Sequence, residues 1–184
     1  MQRGIMELRT YVFSLMAVCL FLSGCYESKY PLSSSDASRI DKRLLKCWLE
    51  EPQTPGDTPY RVEICTFNDR EYFVAFSNDN GTATIARAFT SMIDTVAVLN
   101  MQGIESADPK DRTFVFFKYD LTPDGSLQTW MISSGSPLLE KKAFPSQTAF
   151  AAHIKKHIHD KRLFGEMRRF KPADGLHLKL FSEP

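Results

Sequence analysis

Two imidazoles spaced to meet one zinc are those of His153 and His157, four apart in a stretch with helical periodicity. The residues between them are Ile154, Lys155 and Lys156, so the glutamate that serves as general base in a His-Glu-x-x-His zinc protease is missing. Lys155, Lys156 and Lys161 would repel a cation, Asp160 is the only neighbouring carboxylate, and His159 falls on another face. Ser133-Ser134-Gly135-Ser136 lacks the Gly-x-Ser-x-Gly frame of a nucleophile elbow. "NDNGT", from Asn78, fails the calcium-loop pattern and suits a hairpin turn. There is no P-loop, no dinucleotide fingerprint and no carboxylate pair in apolar surroundings. The expectation is a protein that is not an enzyme, with no catalytic residues, no cofactor and no metal.

Cysteines carry more information. The twelve apolar-rich residues Tyr11 to Leu22 follow a weakly positive start with Arg3 and Arg9, and end at Ser23-Gly24-Cys25. Such a run is too short for a hydrocarbon core that needs about 20 residues, and it reads as the core of a secretory signal. Leu22-Ser23-Gly24-Cys25 resembles the lipobox of bacterial lipoproteins. The resemblance implies cleavage after Gly24, a diacylglyceryl thioether on Cys25 and acylation of the new N-terminus. Two or three chains, at about 0.8 kcal/mol per buried methylene, hold a protein on a membrane where one chain does not. Tyr26 in place of Asp after the cysteine implies the outer membrane, with the protein on its inner leaflet facing the periplasm. The expected organisation is a signal peptide over 1–24, a lipidated cysteine and flexible tether over 25–38, and one β-barrel-like domain over 39–184. Cys47 and Cys65 are then the cysteines left to the fold. In an exported protein they invite a disulfide, the alternative being two small buried thiols.

These features must be positioned by a chain that changes grammar twice. Ser35 or Asp36 can cap a short helix running to about Leu45. From Cys47 onward, short alternating segments follow one another: "CWLEE", "YRVEICTF", "EYFVAFS", "TATIARAFTSMI", "TVAVLNMQGI", "TFVFFKYDL" and "SLQTWMIS". Turn signals separate them at Asn68-Asp69, Asn78–Gly81, Asp94 and "TPDG". Seven strands at such spacing predict an antiparallel meander closing into a barrel. The period then becomes helical over "PSQTAFAAHIKKHIHDKRLFG", with Phe150, Ile154 and Ile158 on one stripe and Gly165 beyond the end. "EMRRFK" predicts an eighth strand and "LHLKLF" a ninth or a packed tail.

The predicted architecture is mainly β, an antiparallel meander forming a barrel with one long C-terminal amphipathic helix packed outside. It is similar to the calycins, the lipocalin-like barrel class. That class carries Gly-x-Trp at its first strand, with an arginine of the last strand stacked on the tryptophan. Here Lys46-Cys47-Trp48 follows "IDKRLL", with lysine in the glycine's place, and Arg168 and Arg169 lie in the last expected strand. The resemblance implies barrel closure by Trp48 with Arg168 or Arg169.

A barrel of about eight strands is either filled by side chains or holds one small ligand. Tyr72 and position 74 (Val74) on one strand, Phe114 and Phe116 on another, and Trp130 on a third are the candidates for lining such a pocket. The expected function is that of a lipid-anchored, non-enzymatic binding module in which they line a pocket for a small apolar or amphipathic ligand. The alternative is that they fill it and the packed barrel is an envelope interaction or structural protein. Charge offers a second expectation. Residues 26–140 hold 11 Lys/Arg against 17 Asp/Glu, whereas residues 141–184 hold 10 against 4. A near-neutral chain is a poor nucleic-acid binder, but a basic final third, with Lys155, Lys156, Lys161, Arg162, Arg168 and Arg169, can face an anionic envelope partner. The expected partners are a membrane through the anchor, and a small apolar ligand or an envelope protein.

Overall fold

A computed structural model describes residues 24–77, 83–104, 112–140 and 142–173. The signal sequence up to Ser23, the Asn78–Gly81 turn and the "LHLKLF" segment lie outside the described residues. Eight antiparallel strands close into a barrel in chain order: β1 (Cys47–Glu50), β2 (Arg61–Thr66), β3 (Tyr72–Ser77), β4 (Ala83–Ile93), β5 (Val96–Gly103), β6 (Phe114–Leu121), β7 (Leu127–Ile132) and β8 (Phe164–Ala173). β8 pairs back onto β1, with Cys47 opposite Ala173 and Trp48 opposite Pro172, so the sheet has no free edge strand. The tight connections follow local chemistry. Asp94 turns the β4–β5 hairpin at φ 54°, a region that aspartate tolerates. Gly125 (φ 81°) sits in the "TPDG" turn, where Thr122 and Ser126 close the hairpin by backbone hydrogen bonds.

The helix lies before the last strand, as expected, but is shorter than its periodicity predicted. α1 spans Gln147–His157, capped by the Ser146 hydroxyl accepting from the Ala149 N–H, and lies between β7 and β8. Asp160 caps a 3-10 turn at Lys161–Leu163, and Gly165, expected just past the helix, is already inside β8. The single helix expected up to Leu45 is two 3-10 turns, Ser35–Ala37 and Lys42–Leu44, capped by Ser34 and Asp41.

Alternation along the strands sorts the core into two compartments. Trp48, Val62, Ile64, Tyr72, Val74, Ala88, Leu127 and Phe170 point inward and are buried together. On the outer wall Val98, Phe116 and Ile132 pack beneath Phe150, Ile154 and Ile158, with Leu32, Leu139 and Leu163 completing the cluster. β6 is therefore covered on both faces, which explains its aromatic-rich sequence.

The expected flexible tether is docked. The Ser28 N–H and C=O exchange hydrogen bonds with Phe114 at 3.0 and 2.7 Å, and the Tyr26 N–H donates to the Ile132 carbonyl at 3.0 Å. β6 and β7 pair with each other only from Phe117–Met131 to Leu121–Leu127. Beyond that point residues 25–28 pair with Ser133 and Phe114 and complete the wall. From there the segment crosses the outer face to β4 and enters the far end of the barrel, where the Asp41 N–H donates to the Tyr72 hydroxyl at 2.7 Å. The physical reason is that Tyr26, Tyr30 and Leu32 are apolar anchors inside a serine-rich stretch, and each joins the outer cluster.

Candidate functional site

The five candidate lining residues divide between the two compartments. Tyr72 and Val74 face inward, at 0% and 1% exposure. Phe114 and Phe116 face outward, because Val115, Phe117 and Tyr119 hold the inward parity of β6. Trp130 is also outward, opposite Lys118, whose ammonium lies 4.6 Å from its ring centroid. No common pocket can be built from all five. The inward space is occupied by Trp48 and Tyr72, both fully buried, together with Phe170 and Leu127. One end is plugged by Leu44, with Ile40 and Leu45 beside it. Near the plug, the hydroxyls of Thr90 and Tyr119 lie 3.4 Å apart, and burial pushes the Tyr119 phenol up to about 12.

Barrel closure uses different partners from those implied by the calycin resemblance. The Trp48 indole donates to the Leu44 carbonyl at 3.0 Å, and the cation over its ring is Lys46, at 5.2 Å. Lys46 occupies the place of the family's glycine. Arg168 instead pairs with Glu50 at 2.8 Å and lies over Tyr60, while Arg169 pairs with Glu51 and Asp124. The expected disulfide is not formed. Cys47 and Cys65 are free thiols, the first buried and the second exposed. Register puts Cys47 opposite Glu63 and Cys65 opposite Phe73, leaving the cysteines diagonal to each other, beyond the ordinary span of a bridge.

Two depressions lie outside the packed interior. At the end opposite the plug, the 51–60 connection shelters a hollow of about 230 Å³ lined by Glu50, Tyr60, Arg168 and loop residues. Glu50 is buried (7% exposed), and its carboxylate is satisfied by Arg168 and by the Tyr60 N–H at 3.1 Å. The Thr54–Asp57 side-chain and backbone bonds hold the overlying turn. The second depression, about 360 Å³, runs between residues 31–35 and the outer wall, lined by Glu71, Arg87, Phe89, Gln102, Phe114 and Gln147. Glu71, buried on this wall, accepts from Arg87 at 2.6 Å and from the Asn68 side-chain amide at 2.7 Å, and the Arg87 guanidinium also stacks on Phe67. The first depression holds the Glu50–Arg168 ion pair and Asp57, which is bonded to Thr54; the second holds the Glu71–Arg87 pair, in which the buried Arg87 Nε has no hydrogen-bond partner among the described residues.

Asn100, which sequence reasoning passed over, fixes the docked segment. It is fully buried, its carbonyl accepts from the Leu32 N–H at 2.8 Å, and its amide donates to Ser91 and the Phe89 carbonyl. Ser33 and Ser91 hydroxyls meet at 2.6 Å beside it. An asparagine in the middle of the apolar run "VAVLNM" is the signal that could have found it.

The histidines serve packing. The His153 ring nitrogen Nε2 meets the Leu138 carbonyl at 2.9 Å, with its ring tilted against Phe144 and His157. Burial lowers its pKa. Among the described residues there is no group of three His, Cys, Asp or Glu able to hold a metal. The expected basic face is largely paired: Lys155 with Asp94, Arg162 with Asp160, Arg168 with Glu50, and Arg169 and Lys171 with Glu51. The fold thus defines a class, a closed eight-stranded antiparallel β-barrel carrying one helix. No family model, curated protein or solved structure matches the chain.

Proposed function

We propose that this is a lipid-anchored bacterial envelope protein, a non-enzymatic interaction module whose barrel is a packed scaffold. The observation that supports scaffold over ligand cup is the packed inner core at the plugged end, where Trp48 and Tyr72 are both at 0% exposure above Leu44, with Phe76, Leu99, Val115 and Phe117 partly buried on the same inner face. The two depressions lie outside that interior and are lined by polar and aromatic groups, a composition common at protein–protein surfaces. The anchor assignment rests on the lipobox-like Leu22-Ser23-Gly24-Cys25, and the lipocalin-like character rests on the plugged, eight-stranded closure. On this reading the protein works at the inner leaflet of the outer membrane, against the periplasm.

Titration of the detergent-solubilised protein with an environment-sensitive naphthalene probe tests scaffold against cup. The expected result is no saturable binding. Stoichiometric binding that competes with fatty acid and is abolished by Val74→Trp would replace the scaffold with a ligand-carrying barrel. Mass spectrometry of the N-terminal peptide tests the anchor separately: acyl chains on Cys25 are expected, and an unmodified thiol removes it.

A further inference from the structure

The docked N-terminal segment leaves the anchor no slack. The Gly24 carbonyl accepts from both the Ser134 N–H at 3.0 Å and its hydroxyl at 2.7 Å, Cys25 bridges to Ser133, and the Cys25 sulfur lies against Met131 Sδ. Ser133 in turn donates its N–H to the Leu163 carbonyl, and the Ser136 hydroxyl donates to Arg162. Residues 24–25 are therefore seated in a cradle made by the end of β7 and the turn before β8, at the mouth, opposite the plug. From Cys25 the chain runs away from the mouth to reach Tyr72 at the plugged end.

We infer that the barrel sits mouth-down on the bilayer, its 51–60 and 133–136 loops against the lipid headgroups and its plugged end in the aqueous space. The inference rests on the proposed lipid anchor. Signal cleavage hydrolyses the Gly24–Cys25 peptide bond. Acyl transfer from a phospholipid ester to the freed amine then rebuilds an amide on the same nitrogen, with the lysophospholipid alcohol as leaving group. The new carbonyl takes the place of the Gly24 carbonyl, and the two Ser134 donors are already positioned for it. Both the thioether and the amide chains start within one residue of a wall-paired backbone, so the mouth rim cannot stand far from the membrane. Lys161, in the turn that supports the cradle, leaves that turn with one net positive charge beside the Arg162–Asp160 pair, which suits anionic headgroups.

The test uses the lipidated full-length protein in vesicles containing anionic phospholipid, with Cys65→Ser removing the exposed thiol. Single cysteines report by their rate of reaction with a membrane-impermeant maleimide, compared with detergent. Gly135 accepts a side chain, since an added Cβ would meet only the Ser133 hydroxyl at 3.6 Å. Gly135→Cys beside the cradle and Tyr60→Cys across the rim should each react about tenfold more slowly in vesicles, and Phe67→Cys at the plugged end at an unchanged rate. Inserting a ten-residue Gly/Ser spacer between Cys25 and Tyr26 should release the protection at both rim positions. If Tyr60→Cys reacts as fast as Phe67→Cys, or if the spacer changes nothing, the mouth-down arrangement is overturned while the anchor stands. An N-terminal peptide without acyl chains removes both.

Discussion

The inner and outer cores of this molecule are built from similar apolar side chains but by different means. The inner core is closed by topology. Each strand pairs with its neighbours, and alternation alone delivers Trp48, Tyr72 and Phe170 to one space. The outer core is assembled from parts distant in sequence, a helix, a loop and residues 26–32, laid over a wall that would otherwise expose Phe116 and Val98. Local pattern specifies the first, whereas the second depends on a few polar fasteners that orient its covering segments.

That contrast can be broken from either side. Trp48→Ala should be the most costly single change, about 3–5 kcal/mol, because it empties the centre of a closed barrel and removes the bond to Leu44. Chemical denaturation should show the loss with one cooperative transition. Phe150→Ala should cost about 3–4 kcal/mol, since its ring contacts Phe116, Phe144 and Tyr26. Here hydrogen exchange should accelerate in residues 26–32 and α1 before it does in β1–β3, and uniform acceleration would mean that the two cores are one cooperative unit. Asn100→Ala leaves the Leu32 N–H without its acceptor and should cost about 1–3 kcal/mol, read by the same exchange experiment as opening confined to the docked segment. The smallest effect belongs to alkali. Tyr119 is held neutral in the folded state up to about 12, whereas an unfolded tyrosine ionises near 10. Between those values the unfolded chain holds fewer protons, so stability should fall as pH rises through that window and be unaffected below it. Tyr119→Phe should flatten the slope in thermal melts recorded from pH 9 to 11.

These differences also explain what could be read from the chain. Strand positions followed from alternation such as Tyr60, Val62, Ile64, and from turns at Asn68-Asp69 and Asp94, because a sheet buried on its inner face imposes period two. β8 was legible only as "EMRRFK", since its ion-paired arginines break the apolar pattern. The helix was overextended because Ile158 and Leu163 keep the apolar stripe going, although they belong to a turn and a 3-10 segment feeding β8. Residues 25–38 read as a lipidated cysteine and tether because a composition rich in serine conceals three anchors, Tyr26, Tyr30 and Leu32, that need a wall to dock on. The Phe114 and Phe116 lining was misassigned because alternation fixes which residues share a face but not which face is the inside. When both faces of a strand are buried, that choice lies in the neighbours.

The seam where residues 25–28 stand between β6 and β7 has a consequence for how the fold is reached. Cys25 and Met131 touch across a separation of 106 positions, and β1 meets β8 across more than a hundred, so the wall is finished only when the beginning and end of the domain find each other. Contacts of that range are paid for in loop entropy before they return any stability, and they set a slow last step. A chain lacking residues 25–28 would leave the β6–β7 seam open over Phe116, whereas one lacking β8 would open the barrel between β7 and β1. Residues 25–28 therefore act as a stave of the barrel wall between the strands they join.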